Sequence, residues 1–212
     1  MKTSKEPLKL YCFGESGNSY KAALTMELAG VPWKPIFVDF FNGETRTPQY
    51  KQINSMGEAP VLVGRDIKLS QSGAIQNYIA SITGKFVGDT PDKKIEVLRW
   101  VFWDNHKMSS VAGTTRFLAN FLPEDKRPWE VIDWHRARLR VSLKVLEQRL
   151  GENDWVVGQN ISLADLACCG YLYYPEPFGF DRKEWPNIDR WLANISSQKG
   201  WQHPYDLMPR KP

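Results

Sequence analysis

The stretch PVLVGRDIKLSQSGAIQNYIASIT, residues 60–83, carries most of the reading of the fold. Residues 60–70 hold two apolar, strand-like runs around Gly64-Arg65-Asp66, a turn-like cluster. So short a connection joins antiparallel neighbours, because a parallel pair needs a crossover of about a dozen residues or more. Residues 71–83 then change period, with Ile75, Tyr78, Ile79 and Ile82 spaced for burial on one helix face. Working outward, LKLYCF (8–13) has strand composition. From Asn18 to Ala29 the pattern is helical, with Ala22, Met26 and Ala29 on one face and Leu24 and Leu28 alongside, and Gly30 supplies a stop signal. WKPIFVDF (33–40) reads as a second strand, with Pro35 pointing to a sheet edge, and TPQYKQI (47–53) as a short helix. The order β-α-β-(α)-β-β-α predicts a mixed four-stranded sheet with helices against it.

GKFVGDTPDKK (84–94) breaks this grammar with glycine, proline and charge, and reads as a linker. Beyond it no strand pair stands out. Ile95, Leu98 and Phe102 fall at helical spacing, as do Leu139, Leu143, Leu146 and Leu150, and again Ile188, Trp191, Leu192 and Ile195. Ser162 stands three residues before Asp165, a short-armed capping box at the head of another helix. The expected division is an α/β domain over 1–84, a linker over 85–92 and an all-helical domain over 93–212.

Composition narrows the function classes. With 42% hydrophobic and 25% charged residues among 212, the chain has the mix of a soluble globular protein. No run approaches the roughly 18 apolar residues of a membrane span, and the start MKTSKEPLKLYCF lacks the apolar core of a secretory signal, so a cytoplasmic location is expected. Cys12, Cys168 and Cys169 make a poor disulfide framework. His106, His135 and His203 are scattered, so no metal site is expected. The net charge of +4 is mild, and RARLR (136–140) reads as a solvated helix face, so no nucleic-acid partner is expected.

GESGNSYK (14–21) raises the functional question. Ser16 and Asn18 are hydroxyl and amide donors, and Gly17 lets the backbone bend between them. Either polar residue can equally serve as an ordinary helix cap.

In order along the chain, LYCFGESGNSYKAALTMELAGVPWKPIFVD (10–39), INSMGEAPVLV (53–63), LSQSGAIQNYIA (69–80), VVGQNISLADLACCGYL (156–172) and WPNIDRWLANISSQKGWQHPYDLMP (185–209) together resemble the cytosolic glutathione transferases, bacterial serine-type or nu-class-like members in particular. The resemblance implies an α/β thioredoxin-like N-terminal domain plus an all-α helical C-terminal domain, in a homodimer. It implies glutathione as co-substrate with no other cofactor, and a small hydrophobic electrophile as second substrate. Aligned on Lys21, itself expected at the surface or in a salt bridge, Ser16 and Asn18 take the positions that stabilise the glutathione thiolate; Tyr11 is the rival. The family's cis proline falls on Ala59-Pro60, whose backbone would pair with the cysteinyl part. Gln71 and Ser72 would take the γ-glutamyl end, glutamine replacing the commoner glutamate. Glu58 departs from the family, which often has lysine there near the glycyl carboxylate, and puts that contact in doubt. Asn54-Ser55 also stands where asparagine-proline is usual. Trp103, His106, Phe117 and Tyr173 are candidates for the second-substrate wall, expected between the domains. Two further activities stay open on this fold: glutathione-dependent disulfide or peroxide reduction, and non-catalytic binding.

Overall fold

The computed structural model describes residues 6–64 and 66–211; the start of the chain and Arg65 of the expected turn lie outside the described residues. It divides into two compact units. One runs to Lys85 and takes in the chain from Lys199 on; the other is Phe86–Gln198.

In the first unit, β1 (Leu8–Cys12) leads into α1 (Gly17–Ala29) and β2 (Trp33–Phe37), then α2 (Pro48–Ile53), β3 (Val61–Gly64), β4 (Ile67–Ser70) and α3 (Ser72–Thr83). The sheet order is β2-β1-β3-β4. β1 and β2 are parallel and the other neighbours antiparallel, with Leu8 opposite Trp33 and Val61 opposite Ser70. This is the mixed sheet that the short β3–β4 connection requires, and Pro35 lies on its edge strand. α1 is buried nearly all round, from Ser19 to Met26, and ends at Gly30 with φ +71. α3 packs on α1, burying Ile75 and Ile79, while Ile82 faces out, against its expected burial.

In the second unit, α4 (Pro91–Trp103) and α5 (Ser110–Asn120) are joined by one stretch of π-helix, Asp104–Ser109. The helix thus opens inside the stretch read as linker, where Thr90 accepts from the Lys93 N–H and Pro91 takes the first turn. Its inner face is Val97, Trp100 and Val101; Ile95 and Phe102 are 67% and 69% exposed. α6 (Trp129–Gly151) buries Leu139, Leu143, Leu146 and Leu150. α7 (Leu163–Cys168) is headed by the expected capping box and α8 (Pro186–Ser196) buries Ile188, Trp191, Leu192 and Ile195. The buried Asp165 carboxylate accepts from Val156 N–H, Ser162 N–H and hydroxyl, and the Trp191 indole at 2.8–2.9 Å. Burial pushes this carboxyl above its ordinary range against the pull of those donors.

The tail differs from the expected division. α9 (Pro204–Leu207) packs on α1, and the Tyr20 hydroxyl donates to Gln202 O at 2.8 Å. The chain from Lys199 therefore belongs with the sheet rather than with the helical bundle.

Candidate active site

The candidate site lies in the first unit, where two helix N-termini meet. β1 delivers the chain to the turn 13–16, which Ser16 N–H closes onto Phe13 O at 3.1 Å. Ser16 caps α1: its hydroxyl oxygen accepts the Ser19 N–H at 3.1 Å. A hydroxyl has one hydrogen and two lone pairs, so capping leaves the hydrogen to donate. Among the described residues no acceptor takes it. Asn18, in the same first turn, reaches the other helix: the Ser72 hydroxyl sits 3.5 Å from Asn18 Oδ1, linking positions 54 residues apart.

α3 opens differently. Gln71 occupies its N-cap position with φ +69, a left-handed conformation unusual outside glycine, and makes no side-chain cap. The first amides of α3 are therefore left uncapped by it, and a helix start of this kind attracts an anion. The Gln71 side chain turns aside instead: Nε2 donates to Glu58 Oε2 at 2.8 Å and lies 3.6 Å from Met56 Sδ. Glu58 is thus engaged by an amide rather than pointed away or matched by a cation.

Between these helix starts runs the segment 54–60. Its Ala59-Pro60 bond is cis, as the resemblance implied. Among the described residues, the Ala59 N–H and C=O carry no hydrogen bond, so an extended ligand can pair with them beside β3. Two residues hold this segment: Tyr50, which the sequence reading did not single out, and Asn54, noted there only because serine rather than proline follows it. The Tyr50 hydroxyl and Asn54 Nδ2 both donate to the Glu58 carbonyl, at 3.1 and 2.8 Å, and Asn54 also takes the Met56 N–H. The signal for Asn54 was its place in the family-like segment; Tyr50 showed only as a tyrosine within the short helix. Beneath it lies a cluster of Phe13, Val38, Tyr50 and Val61, against which Tyr11 and Ala59 pack.

The tail also supports the turn. Gly14 N–H donates to Pro209 O at 2.7 Å, and Arg210 pairs with Glu15 at 2.8 Å. A Cβ on Gly14 would lie 2.5 Å from Arg210 Cγ, so the close approach depends on glycine. Of the two placements expected for Lys21, the surface one is corrected: it is 1% exposed inside α1. Burial pushes the Cys12 thiol up to about 12, and all three cysteines are buried thiols rather than disulfides.

The second-substrate candidates all belong to the helical unit. Trp103 meets Trp100 edge-on at 5.0 Å, Phe117 stacks near Phe121 at 6.5 Å, and the Tyr173 hydroxyl donates to Leu192 O at 2.8 Å. His106 is exposed on the π-helical turn.

Comparison with known proteins identifies the family. Residues 6–81 match the model for the glutathione S-transferase N-terminal domain, and 114–199 that for the C-terminal domain. Glutathione S-transferase F10 of Arabidopsis thaliana is 30% identical over 87% of this chain and 90% of its own. Disulfide-bond oxidoreductase YfcG of Escherichia coli is 26% identical over 88% and 89%. A glutathione S-transferase crystal structure from Pseudomonas fluorescens superposes with a TM-score of 0.88 at 30% identity, covering 95% of this chain and all of that one (100%). With both domain models matched in order and such relatives spanned nearly end to end, this chain belongs to the glutathione S-transferase family.

Proposed function

We propose that the protein binds glutathione, stabilises its thiolate with the Ser16 hydroxyl, and adds the sulfur to a small hydrophobic electrophile. The observation that carries this reading is the Ser16 hydroxyl at the head of α1, whose oxygen caps the helix while its hydrogen has no acceptor among the described residues. A free thiol with pKa near 8.5 is about 3% ionised at pH 7. Lowering that pKa by two units needs about 2.7 kcal/mol of preference for the thiolate. A hydrogen bond to a charged group contributes about 1.5–3 kcal/mol, and a helix N-terminus about 0.3–1. One hydroxyl on α1 is thus sufficient, with Asn18 as helper and no general base or metal required. The γ-glutamyl carboxylate sits on the α3 amides and Ser72, and the cysteinyl backbone pairs with Ala59 ahead of Pro60. Trp103, His106, Phe117 and Tyr173 contribute the wall for the electrophile.

Its cytoplasmic location and homodimeric state follow the family resemblance. A second reading, glutathione-dependent disulfide reduction, is favoured by the similarity to YfcG. It would use glutathione thiols alone, since the protein's own cysteines are buried. The test is the pKa of the bound glutathione thiol, followed by thiolate absorbance, in the wild type and S16A. A depressed value that rises toward 8.5 in S16A supports the serine reading. A depressed value unmoved by S16A shifts the role to Asn18 or Tyr11. Absence of binding at millimolar glutathione leaves a non-catalytic protein on this fold.

A further inference from the structure

We propose that Glu58 is the counter-ion for the α-ammonium of the γ-glutamyl group, supplying from position 58 the negative charge that Gln71 lacks. This deepens the glutathione-binding reading above and rests on it. The γ-glutamyl end is a zwitterion whose carboxylate and ammonium share one carbon. With the carboxylate on the amides of α3, the ammonium must lie beside the residue at the head of that helix, Gln71. Gln71 directs its amide nitrogen at Glu58 Oε2, 2.8 Å away, and toward Met56 Sδ. Its remaining polar atom is the carbonyl oxygen, an acceptor. The Glu58 carboxylate is acceptor-only as well and, among the described residues, pairs with no cationic side chain. The corner therefore offers acceptors and one net negative charge, and what complements it is a cationic donor. Glutathione has one such group.

The backbone beneath Glu58 is built to hold it there. Its carbonyl takes both the Tyr50 hydroxyl and Asn54 Nδ2, and Gly57, at φ +66, closes its N–H onto Asn54 O at 3.0 Å. The sequence had set Glu58 against the glycyl carboxylate, where it would repel. The two placements predict opposite signs for neutralising it.

The experiment is calorimetric titration with glutathione and with its des-amino analogue, glutaryl-cysteinyl-glycine, which keeps both the thiol and the glycyl carboxylate. E58Q is expected to weaken glutathione about tenfold, about 1.4 kcal/mol, and to leave the analogue within about twofold. Adding Q71E to E58Q, which returns the charge to position 71, is expected to restore most of the glutathione affinity. Equal or tighter glutathione binding by E58Q overturns the proposal, as does an equal loss for both ligands. If the wild-type chain binds neither ligand, the glutathione reading itself falls, and the proposal with it.

Discussion

Ser16 is asked to do two things with one hydroxyl, and glycine and alanine separate them. The oxygen caps α1 through the Ser19 N–H; the hydrogen is the proposed thiolate donor. Replacing an N-cap serine by alanine costs about 1 kcal/mol of stability, by glycine only a few tenths, because glycine lets water reach the exposed amides and adopts the cap geometry freely. Ser16 sits at φ −91 and ψ 108, extended backbone that glycine reaches without strain. Both substitutions delete the donor equally. If the hydroxyl supplies about 1.5–3 kcal/mol to the thiolate, its loss raises the bound thiol pKa by about one to two units. The N-terminal field of α1 keeps a residual depression of a few tenths of a unit, from about 0.3–1 kcal/mol. S16A and S16G should therefore show the same rise in thiol pKa and unequal losses in urea midpoint, while S16T keeps both properties. Thiolate absorbance against pH and urea unfolding on the same preparations give the two numbers. A thiol pKa that follows the stability loss, large in S16A and small in S16G, would mean that the hydroxyl acts only by holding the turn.

Further outcomes follow from three buried groups. Asp165→Ala removes the acceptor for the Val156, Ser162 and Trp191 N–H groups; at about 1–3 kcal/mol for each stranded donor the loss should be at least about 3 kcal/mol, read by urea unfolding at matched protein concentration, and a loss under about 1 would contradict the network. The Cys12 thiol, pushed up to about 12 by burial, should resist iodoacetamide in the native protein at pH 8.5 and react once unfolded. Because its folded pKa is raised from 9.0, the folded state keeps the proton longer, so its contribution to stability is full below pH 9 and is lost as pH rises toward about 12; C12A should flatten that alkaline slope in unfolding curves. Arg116→Met breaks an ion pair to Glu176 at 2.7 Å in which the arginine side chain is 2% exposed but the glutamate 23%; with water able to reach Glu176, the unfolding free energy should fall by about 3 kcal/mol, the lower end for buried pairs.

What was legible in the sequence was whatever short-range physics dictates. Two strands joined across so short a connection must be antiparallel, and the first strand-helix-strand unit is parallel, so a mixed four-stranded sheet followed from 8–70, while its order did not. Gly30 and the Ser162–Asp165 box act within a few residues and ended or began helices where expected. Periodicity misled where the buried face is set by partners rather than by hydrophobicity. Ile95 and Phe102 share a stripe, yet the packed face of α4 is Val97, Trp100 and Val101. The π-helical turn at Asp104–Ser109 rotates the face again, and a period of 3.6 residues does not detect it. The docking of the tail on α1 and the burial of Lys21 are tertiary outcomes with no local signature.

The candidate site divides along the same line. Ser16, Asn18, Gln71 and Ser72 could be named because each sits at a helix start, and helix starts are written locally in small polar residues. That the two starts meet, through Ser72 and Asn18, depends on α1 and α3 packing side by side across 54 residues. Glu58 shows what composition alone conceals. As a letter it is a negative charge near an anionic ligand, hence a defect. In the fold its backbone is fastened by Tyr50 and Asn54 and its carboxylate receives Gln71. A glutamine at 71, where glutamate is commoner, and an unexpected carboxylate at 58 meet through a 2.8 Å hydrogen bond, and a charge at either position can face the same ammonium. Coulomb attraction falls as the inverse of distance, so a carboxylate displaced within the corner keeps part of it, whereas reversal of sign turns it into repulsion. The pair is therefore better understood as one relocated carboxylate than as two independent losses.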